Sequence, residues 1–520
     1  MPAILLTTLN ARYIHASLGL RYLHANLGHL KEKCTLVEFT INQKPDDIAE
    51  QLLSSNPEVI GFGVYIWNCT ETLQVIRLIK ALSPTTHIIV GGPEVSYETT
   101  SQALFKHADH VITGQADIAF KECCEELLTG QTPPKLVSPL PIDLATLASP
   151  YCEYTEDDIH NRVLYVEASR GCPFKCEFCL SSLDKTAVAF DLDAFLDDLK
   201  KLLNRGAKQF KFVDRTFNLK VESSCRILDF FLNEINNGHS DLFLHFELIP
   251  DRLPDAIKER LPKFPKACLQ FEIGIQTFNQ DVQKRISRKQ NHAKTTENLI
   301  WLRENTSAHI HADLIFGLPG ETLQSFGNGF DELLTLQPQE IQVGILKRLR
   351  GTPIARHTSD YGMIYMDEPP YRILANNDVD FSTVQRMVRF ARYWDLIANS
   401  GRFPNSLPIL LHTEPFSRFL RASDWLYAKT EQTHAIALQR LISLMHALLV
   451  EEFDIEEQTA VNIATADFEH NKLKGRPSFK SYNGSKEETT SLQVNTNNKP
   501  HTTGQHAVAS RQARHLAQTN

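Results

Sequence analysis

The chain has 520 residues, room for about three or four domains, each able to bury its own core. With 42% hydrophobic and 22% charged residues it has the balance of a folded globular protein, which excludes a collagen, a coiled coil and a wholly disordered chain. Its 54 Lys and Arg against 62 Asp and Glu give a net charge of -8 with no concentrated basic patch, which argues against a protein built to grip nucleic-acid phosphates.

The longest apolar stretches, such as 441–450, are about half the roughly 20 residues a membrane span needs, so none is expected. Residues 1–8 carry no basic region or cleavage signal, so a cytoplasmic location is expected. Ten cysteines in a chain of this length are too few for a disulfide framework and are expected to be thiols.

From residue 3 onward, apolar β-rich runs alternate with amphipathic segments. Strands are predicted at 3–9, 35–41, 59–67, 87–90 and 110–113, and helices at 18–27, 47–54, 70–82, 97–107 and 120–128. Five such repeats predict a doubly wound, Rossmann-like α/β domain over 1–130. Over 131–160, Pro133, Pro134, Pro139, Pro141 and Pro150 remove backbone donors and predict a stiff linker.

A second alternating run covers 161–350, with strands at 163–168, 209–214, 242–248, 268–275, 309–316 and 340–346. Helices are predicted between them at 192–204, 222–236, 255–260, 295–304 and 323–334. Right-handed crossovers curl such strands into a partial barrel of six strands instead of eight, with one open side. Over 351–465 the pattern turns helical, most clearly at 381–399, 416–429 and 433–452. The stretch 466–520 is rich in Asn, Thr, Ser, Lys and Gln and is expected to be disordered, because it buries too little apolar area to offset its chain entropy.

Gly171-Cys172-Pro173-Phe174-Lys175-Cys176-Glu177-Phe178-Cys179 sets three cysteines in eight positions just past the first barrel strand. Three thiolates so spaced can bind three irons of a cubane cluster and leave the fourth without a protein ligand. The competing reading is zinc with an open position, since no fourth Cys or His is close in sequence. A disulfide framework is poorer, because three cysteines pair oddly. The loop sits at the carboxyl end of a barrel strand, where such folds place their chemistry.

On this motif the sequence resembles the radical S-adenosylmethionine superfamily. The resemblance implies Cys172, Cys176 and Cys179 as the catalytic ligands of a 4Fe–4S cluster. It further implies S-adenosyl-L-methionine chelated to the open iron through its amino and carboxylate groups. In that family an electron from the cluster cleaves the sulfonium bond, releasing methionine and a 5′-deoxyadenosyl radical that abstracts hydrogen from a substrate. Phe178 is implied to lie near the adenine.

Three strand ends fit the same family. Asp214 ends the second strand where related enzymes bind the amino group, with an internal salt bridge to Arg215 as the structural alternative. Glu272, Gly274 and Gln276 resemble the fourth-strand motif near the ribose; either acidic or amide side chain can accept hydroxyl bonds, and glycine permits close approach. Gly317 and Pro319 match the adenine-contacting turn of the fifth strand, with Glu321 opening the next helix. His245 and Glu247 share one face of the third strand, as a substrate pair or as a satisfied core pair.

A doubly wound domain ahead of this barrel is the arrangement of the superfamily's cobalamin-binding branch, so the resemblance implies cobalamin as a further cofactor, in a crevice at the carboxyl ends of the strands. Tyr65, Asn68, Gly91 and Gly92 are its implied contacts. The DxHxxG signature that supplies a cobalt-ligating histidine elsewhere is missing: Gly19 follows His15 one residue too late, without the Asp. His15 is therefore expected to be structural or to touch the nucleotide tail. Residues 346–353 and 368–371 resemble a subgroup with an uncharacterised C-terminal helical domain, and Lys347, Arg348 and Arg350 are read as a solvated edge or an anion contact.

The resulting expectation is a radical S-adenosylmethionine enzyme that depends on cobalamin, with methyl transfer favoured over ring-forming or rearranging chemistry, an unknown small-molecule or macromolecular substrate and a flavodoxin- or ferredoxin-like electron donor. One alternative is a cobalamin-independent radical enzyme of the porphyrin- or tRNA-modifying type. Against a methylthiotransferase, Cys34, Cys69, Cys123, Cys124 and Cys152 lack a second triad's spacing. Another is a non-catalytic cobalamin or cluster sensor, for which the ribose and adenine motifs would serve no purpose.

Overall fold

Along β1, Ile4–Asn10, every residue is buried, because this strand lies inside a sheet covered on both faces. The computed structural model describes residues 2–239, 241–475, 477, 479, 511, 512, 514 and 515. Beside β1 stand β2 Cys34–Thr40, β3 Val59–Gly63, β4 His87–Gly91, β5 His110–Ile112 and β6 Leu136–Val137. All pair in parallel in the order β2-β1-β3-β4-β5-β6. Alternate residues of the strands feed two apolar layers: Leu5, Leu9, Ile60 and Phe62 on one face, and Ile4, Leu6, Val59 and Ile89 on the other. The order reverses between β1 and β3, which opens a crevice at their carboxyl ends.

The expected linker over 131–160 is corrected in part. Its residues 136 and 137 form β6, and Val111 N donates to Lys135 O at 2.8 Å. Pro133 and Pro134 precede this edge strand, where a missing donor faces no partner. Farther on, helix Glu156–Asn161 starts with a capping box on Thr155. It sets Asp158 into a buried cluster with Arg21, Glu38 and Arg162 that joins the first sheet to the second.

The second sheet comprises β7 Leu164–Val166, β10 Gln209–Phe212, β11 Phe243–Leu248, β12 Leu269–Gln276, β13 His309–Phe316 and β14 Glu340–Ile345. Between the first two, β8 Ser169–Arg170 and β9 Val188–Ala189 form a small antiparallel pair. The six strands of this sheet run parallel in the order β14-β13-β12-β11-β10-β7, an open barrel with its first and last strands unpaired to each other.

After a hairpin of β15 Ile364–Tyr365 and β16 Ile373–Ala375 come helices Phe381–Ile397, Pro415–Thr430, Leu438–Glu451 and Glu457–His470. They share the barrel's apolar core rather than forming one of their own. Phe330 of the barrel's helical layer meets Phe390, Trp394 and Phe416 with ring centroids 4.8–5.8 Å apart.

The expectation of disorder from residue 466 is also corrected where residues are described. Asp467 is fully buried and accepts bonds from both backbone and side chain of Asn405 and Ser406. Arg511 pairs with Glu340 at 3.0 Å and Asp395 at 2.6 Å, and Gln512 bonds Gln270 at 2.8 Å. An average over the polar stretch conceals these few groups, of which Arg511 and Gln512 meet polar partners at the amino ends of β14 and β12. The remainder of that stretch lies outside the described residues. Among the described residues, no helix is long and apolar enough to cross a membrane.

Candidate active site

A cavity of about 240 Å³ opens at the carboxyl ends of the barrel strands. The loop after β8 reaches it through Gly171, whose φ of +95° is open to glycine, and Cys172 N donates to Asp184 O at 2.9 Å. Ser182 Oγ donates to the carbonyls of Cys176 and Cys179 at 2.8 and 2.7 Å, fixing the turn between them. Cys172, Cys176 and Cys179 are free thiols and all line the cavity, with Phe178 beside them. Arg288 Nη1 stands 3.4 Å from Cys176 Sγ.

No three His, Cys, Asp or Glu side chains among the described residues are grouped as around one metal ion. Three soft sulfur donors on one wall of a cavity, with no fourth cysteine lining it, fit an iron–sulfur group held on three corners.

Polar side chains from the strand ends line the rest. Glu272 accepts from His245 Nε2 at 3.1 Å and from Lys211 Nζ at 3.4 Å. Burial pushes Glu272 upward, but His245, Lys211 and His311 outweigh it and hold the carboxyl well below its usual range. The same burial holds His245 down to about 4. It lifts Glu247, which accepts from Arg215 at 2.6 Å, to about 7. His245 and Glu247 thus part company: the first is buried against Glu272, the second lines the cavity.

Gly274 lines the cavity and its carbonyl accepts from Arg288; a Cβ there would meet Gln276 Nε2 at 2.5 Å. Gln276 lines it too, at an irregularity in the β12–β13 register, with φ +73°. Its buried Oε1 has no hydrogen-bond partner within the protein, and Oδ1 of Asp313 on the neighbouring strand has only His311 Nε2 beside it, at 3.5 Å. A buried, unpartnered amide oxygen on a residue that lines the cavity suits a ligand that brings a donor.

Three anticipated contacts fall elsewhere. Asp214 does not line this cavity, nor does it pair with Arg215; its carboxylate accepts from Ala168 N at 2.9 Å and Ser169 Oγ at 2.5 Å and so ties down the strand leading to the cysteine loop. Gly317 and Pro319 are also absent from the lining. A Cβ at Gly317 would lie 2.8 Å from Ile373 of β16, and Gly317 O accepts from Asn376 at 3.4 Å, so this turn is a seat for the C-terminal region; Pro319 O accepts from Arg285 of the barrel at 2.7 Å. Arg215, Arg288, Lys289, Gln290 and Asp313 line the cavity without having been singled out as ligand contacts. The 288–290 run sits in a short loop with no periodicity to mark it.

A further cavity of about 260 Å³ lies at the carboxyl ends of β3, β4 and β5. Tyr65, Gly91 and Gly92 line it, as do Gly19, Gly61, Gly63 and Gly114, with Leu20, Leu23, Ile89, Ile112 and Phe120 as apolar walls. Glycines at successive strand ends leave a cradle that Cβ atoms would narrow: one on Gly61 would lie 2.5 Å from the Phe120 ring. That shape and lining fit the flat apolar tail of a large cofactor.

Asn68 does not reach this cavity. It is fully buried, its Nδ2 donating to Thr8 Oγ1, Leu9 O and Gly63 O and its Oδ1 accepting from Tyr65 N. His15 faces the barrel, with Nδ1 2.8 Å from Tyr165 OH, and burial holds it down to about 4, so of its two expected roles it takes the structural one. Arg348 and Arg350 form neither a free edge nor an anion site, because Glu98 and Glu94 of the first domain pair with them.

Residues 4–124 match the B12 binding domain family, and residues 166–333 match the radical SAM superfamily. The chain thus joins a B12 binding domain to a radical SAM domain. Its cofactors are a 4Fe–4S cluster, S-adenosylmethionine and cobalamin, and its C-terminal residues 359–518 match a protein of unknown function, DUF4080.

Relatives include the 2-(S-pantetheinyl)-carbapenam-3-carboxylate methyltransferase of Streptantibioticus cattleyicolor, 22% identical over 358 residues, 61% of this chain and 52% of that protein. The cobalamin-dependent radical SAM methyltransferase TokK of Streptomyces tokunonensis is 22% identical over 309 residues, 54% of this chain and 45% of TokK. The chain spans about half the length of these curated relatives.

Among solved structures, OxsB with aqua-cobalamin and S-adenosylmethionine bound superposes with a TM-score of 0.61 at 14% identity, over 93% of this chain and 83% of OxsB. TsrM from Kitasatospora setae with cobalamin and a 4Fe–4S cluster bound gives 0.55 at 14% identity, over 72% and 82%. These likenesses are of fold.

Proposed function

We propose that this protein is a cobalamin-dependent radical S-adenosylmethionine methyltransferase acting in the cytoplasm, supplied with electrons by a flavodoxin- or ferredoxin-like donor. The observation that carries the reading is the adjacency of the two cavities: Arg170 lines the glycine-floored one, and Cys172, two residues on, lines the other. When bound, the cluster supplies the electron that breaks the sulfonium bond, and cobalamin supplies a centre for methyl transfer.

The chain's part is to hold and exclude. Cys172, Cys176 and Cys179 would hold the cluster, with Phe178 packing at its side. Glu272, kept ionised by His245 and Lys211, and Gln276, with its unpartnered Oε1, would take the ribose hydroxyls, and Gly274 would allow close approach. Tyr65, Gly91 and Gly92 would line the cobalamin seat. Arg215 and Arg288, which line the cysteine cavity, would draw the carboxylate of S-adenosylmethionine.

The test is anaerobic reconstitution with iron, sulfide and hydroxocobalamin, followed by addition of S-adenosylmethionine and a strong reductant. Formation of 5′-deoxyadenosine together with retained cobalamin is expected, and Cys176→Ala should abolish the nucleoside. No nucleoside from the unaltered protein would point to a sensor, and nucleoside without retained cobalamin to a cobalamin-independent enzyme.

A further inference from the structure

Residues 348–357 leave the last barrel strand and cross both cavities' supporting loops within ten positions. At the near end Arg348 makes a two-pronged contact with Glu98, Nη1 to Oε1 at 2.9 Å and Nη2 to Oε2 at 3.1 Å. Arg350 Nε donates to Glu94 at 3.0 Å, while its guanidinium lies 4.8 Å above the ring of Tyr371, whose hydroxyl donates to the same Glu94 oxygen at 2.5 Å. Glu94 is buried and stands two residues beyond Gly92, in the turn that lines the glycine-floored cavity. Gly351, at φ +76°, lets the segment pass against Tyr97; a Cβ there would fall 2.4 Å from the ring.

At the far end the segment grips the cysteine loop. Glu177, between Cys176 and Phe178, is only 3% exposed. Its carboxylate accepts from His357 Nε2 at 2.8 Å, Arg356 Nη2 at 2.5 Å and Ser287 Oγ at 2.5 Å, and its carbonyl accepts from Ile354 N at 3.0 Å. A buried carboxylate so fully used is expensive to detach, since removing partners leaves an uncompensated charge. Neither anchor touches a cavity's interior, so both act through the loops they hold.

Resting on the two-cofactor reading above, we propose that segment 348–357 is a positioning strap, anchored on Glu94 and Glu177, that fixes the cobalamin turn against the cysteine loop and couples occupancy of the two sites. A ligand that orders one loop also orders the strap, so the second ligand meets a loop already in place. The coupling is reciprocal, and typical coupling energies correspond to changes of about five-fold or more.

The experiment uses the full chain, reconstituted anaerobically, and follows loss of cluster iron to a chelator with and without hydroxocobalamin. The expected result is that hydroxocobalamin slows iron loss about five-fold in the unaltered protein. In Glu94→Gln and in His357→Gln each site should still load, but the slowing should fall below about two-fold. Arg348→Gln, at a half-exposed pair, should also reduce it and guards against a misfolded buried variant. Arg386→Gln breaks an ion pair of similar exposure with Asp424, between two C-terminal helices that carry neither anchor, and should leave the coupling intact.

Iron loss that ignores hydroxocobalamin in protein holding both groups, or coupling that survives the anchor substitutions, overturns the strap alone. Protein that takes up no cluster or no cobalamin overturns the functional reading and the strap with it.

Discussion

Asn68 and Asp214 show how a polar residue at a strand end can look like a ligand contact while serving the backbone. Asn68 satisfies four groups around the ends of β1 and β3. Asn68→Ala strands buried donors and acceptors, and a loss of about 3 kcal/mol is expected from denaturant unfolding. Asp214 is raised to about 6 by burial, against the bonds from Ser169 and Ala168. Between roughly pH 4 and 6 the folded chain therefore keeps a proton that the unfolded chain has released. This group's contribution is full below that window and is lost as pH rises through 6. Asp214→Asn should flatten the pH dependence of the melting temperature across the window, and leave S-adenosylmethionine affinity unchanged by calorimetry. An unaltered slope, or a loss of affinity, would return Asp214 to the ligand site.

The turn after β4 combines two demands: to end a buried strand and to leave space for a ligand. Gly92 adopts φ +113°, and a Cβ there would lie 2.5 Å from Val64 O. Gly114, after β5, has φ +67° and nothing within 4 Å of its missing Cβ. Both line the same cavity, but only the first is sterically locked. Gly92→Ala should lower stability by about 1–3 kcal/mol through backbone strain and atomic overlap, with weaker uptake of hydroxocobalamin. Gly114→Ala should cost less stability, because only the backbone strain operates. Thermal melts of the two variants, run beside absorbance titrations with hydroxocobalamin, separate the contributions.

Across the whole molecule, residues far apart in sequence close the barrel at both ends. The carboxyl end holds the cysteine cavity; at the amino end, Arg511 and Gln512 meet Glu340 and Gln270, which begin or nearly begin their strands. Ending the chain at residue 475 removes Arg511 from buried Glu340, and a loss of about 2 kcal/mol is expected, seen as a lower unfolding midpoint. Iron uptake at the opposite end should be unaffected. A truncated chain as stable as the full one would show that these contacts contribute nothing net.

The residue types and spacings alone reveal the two parallel α/β sheets and the three-cysteine loop, because strand alternation, helix periodicity and a short ligand motif are local properties. Strand 309–316 coincides with β13, and helix 192–204 with its observed bounds. Local pattern is silent on which polar side chain turns inward once strands are neighbours. Glu272 and Gln276 reach the cysteine cavity, while Asp214, Gly317 and Pro319 do not. Arg288 joins that cavity from an aperiodic loop, and Arg348 and Arg350, seemingly on an edge, find carboxylates some 250 residues away in sequence. Burial, charge pairing and steric room depend on distances across the folded chain, so only tertiary structure decided which groups face a ligand and which hold the frame.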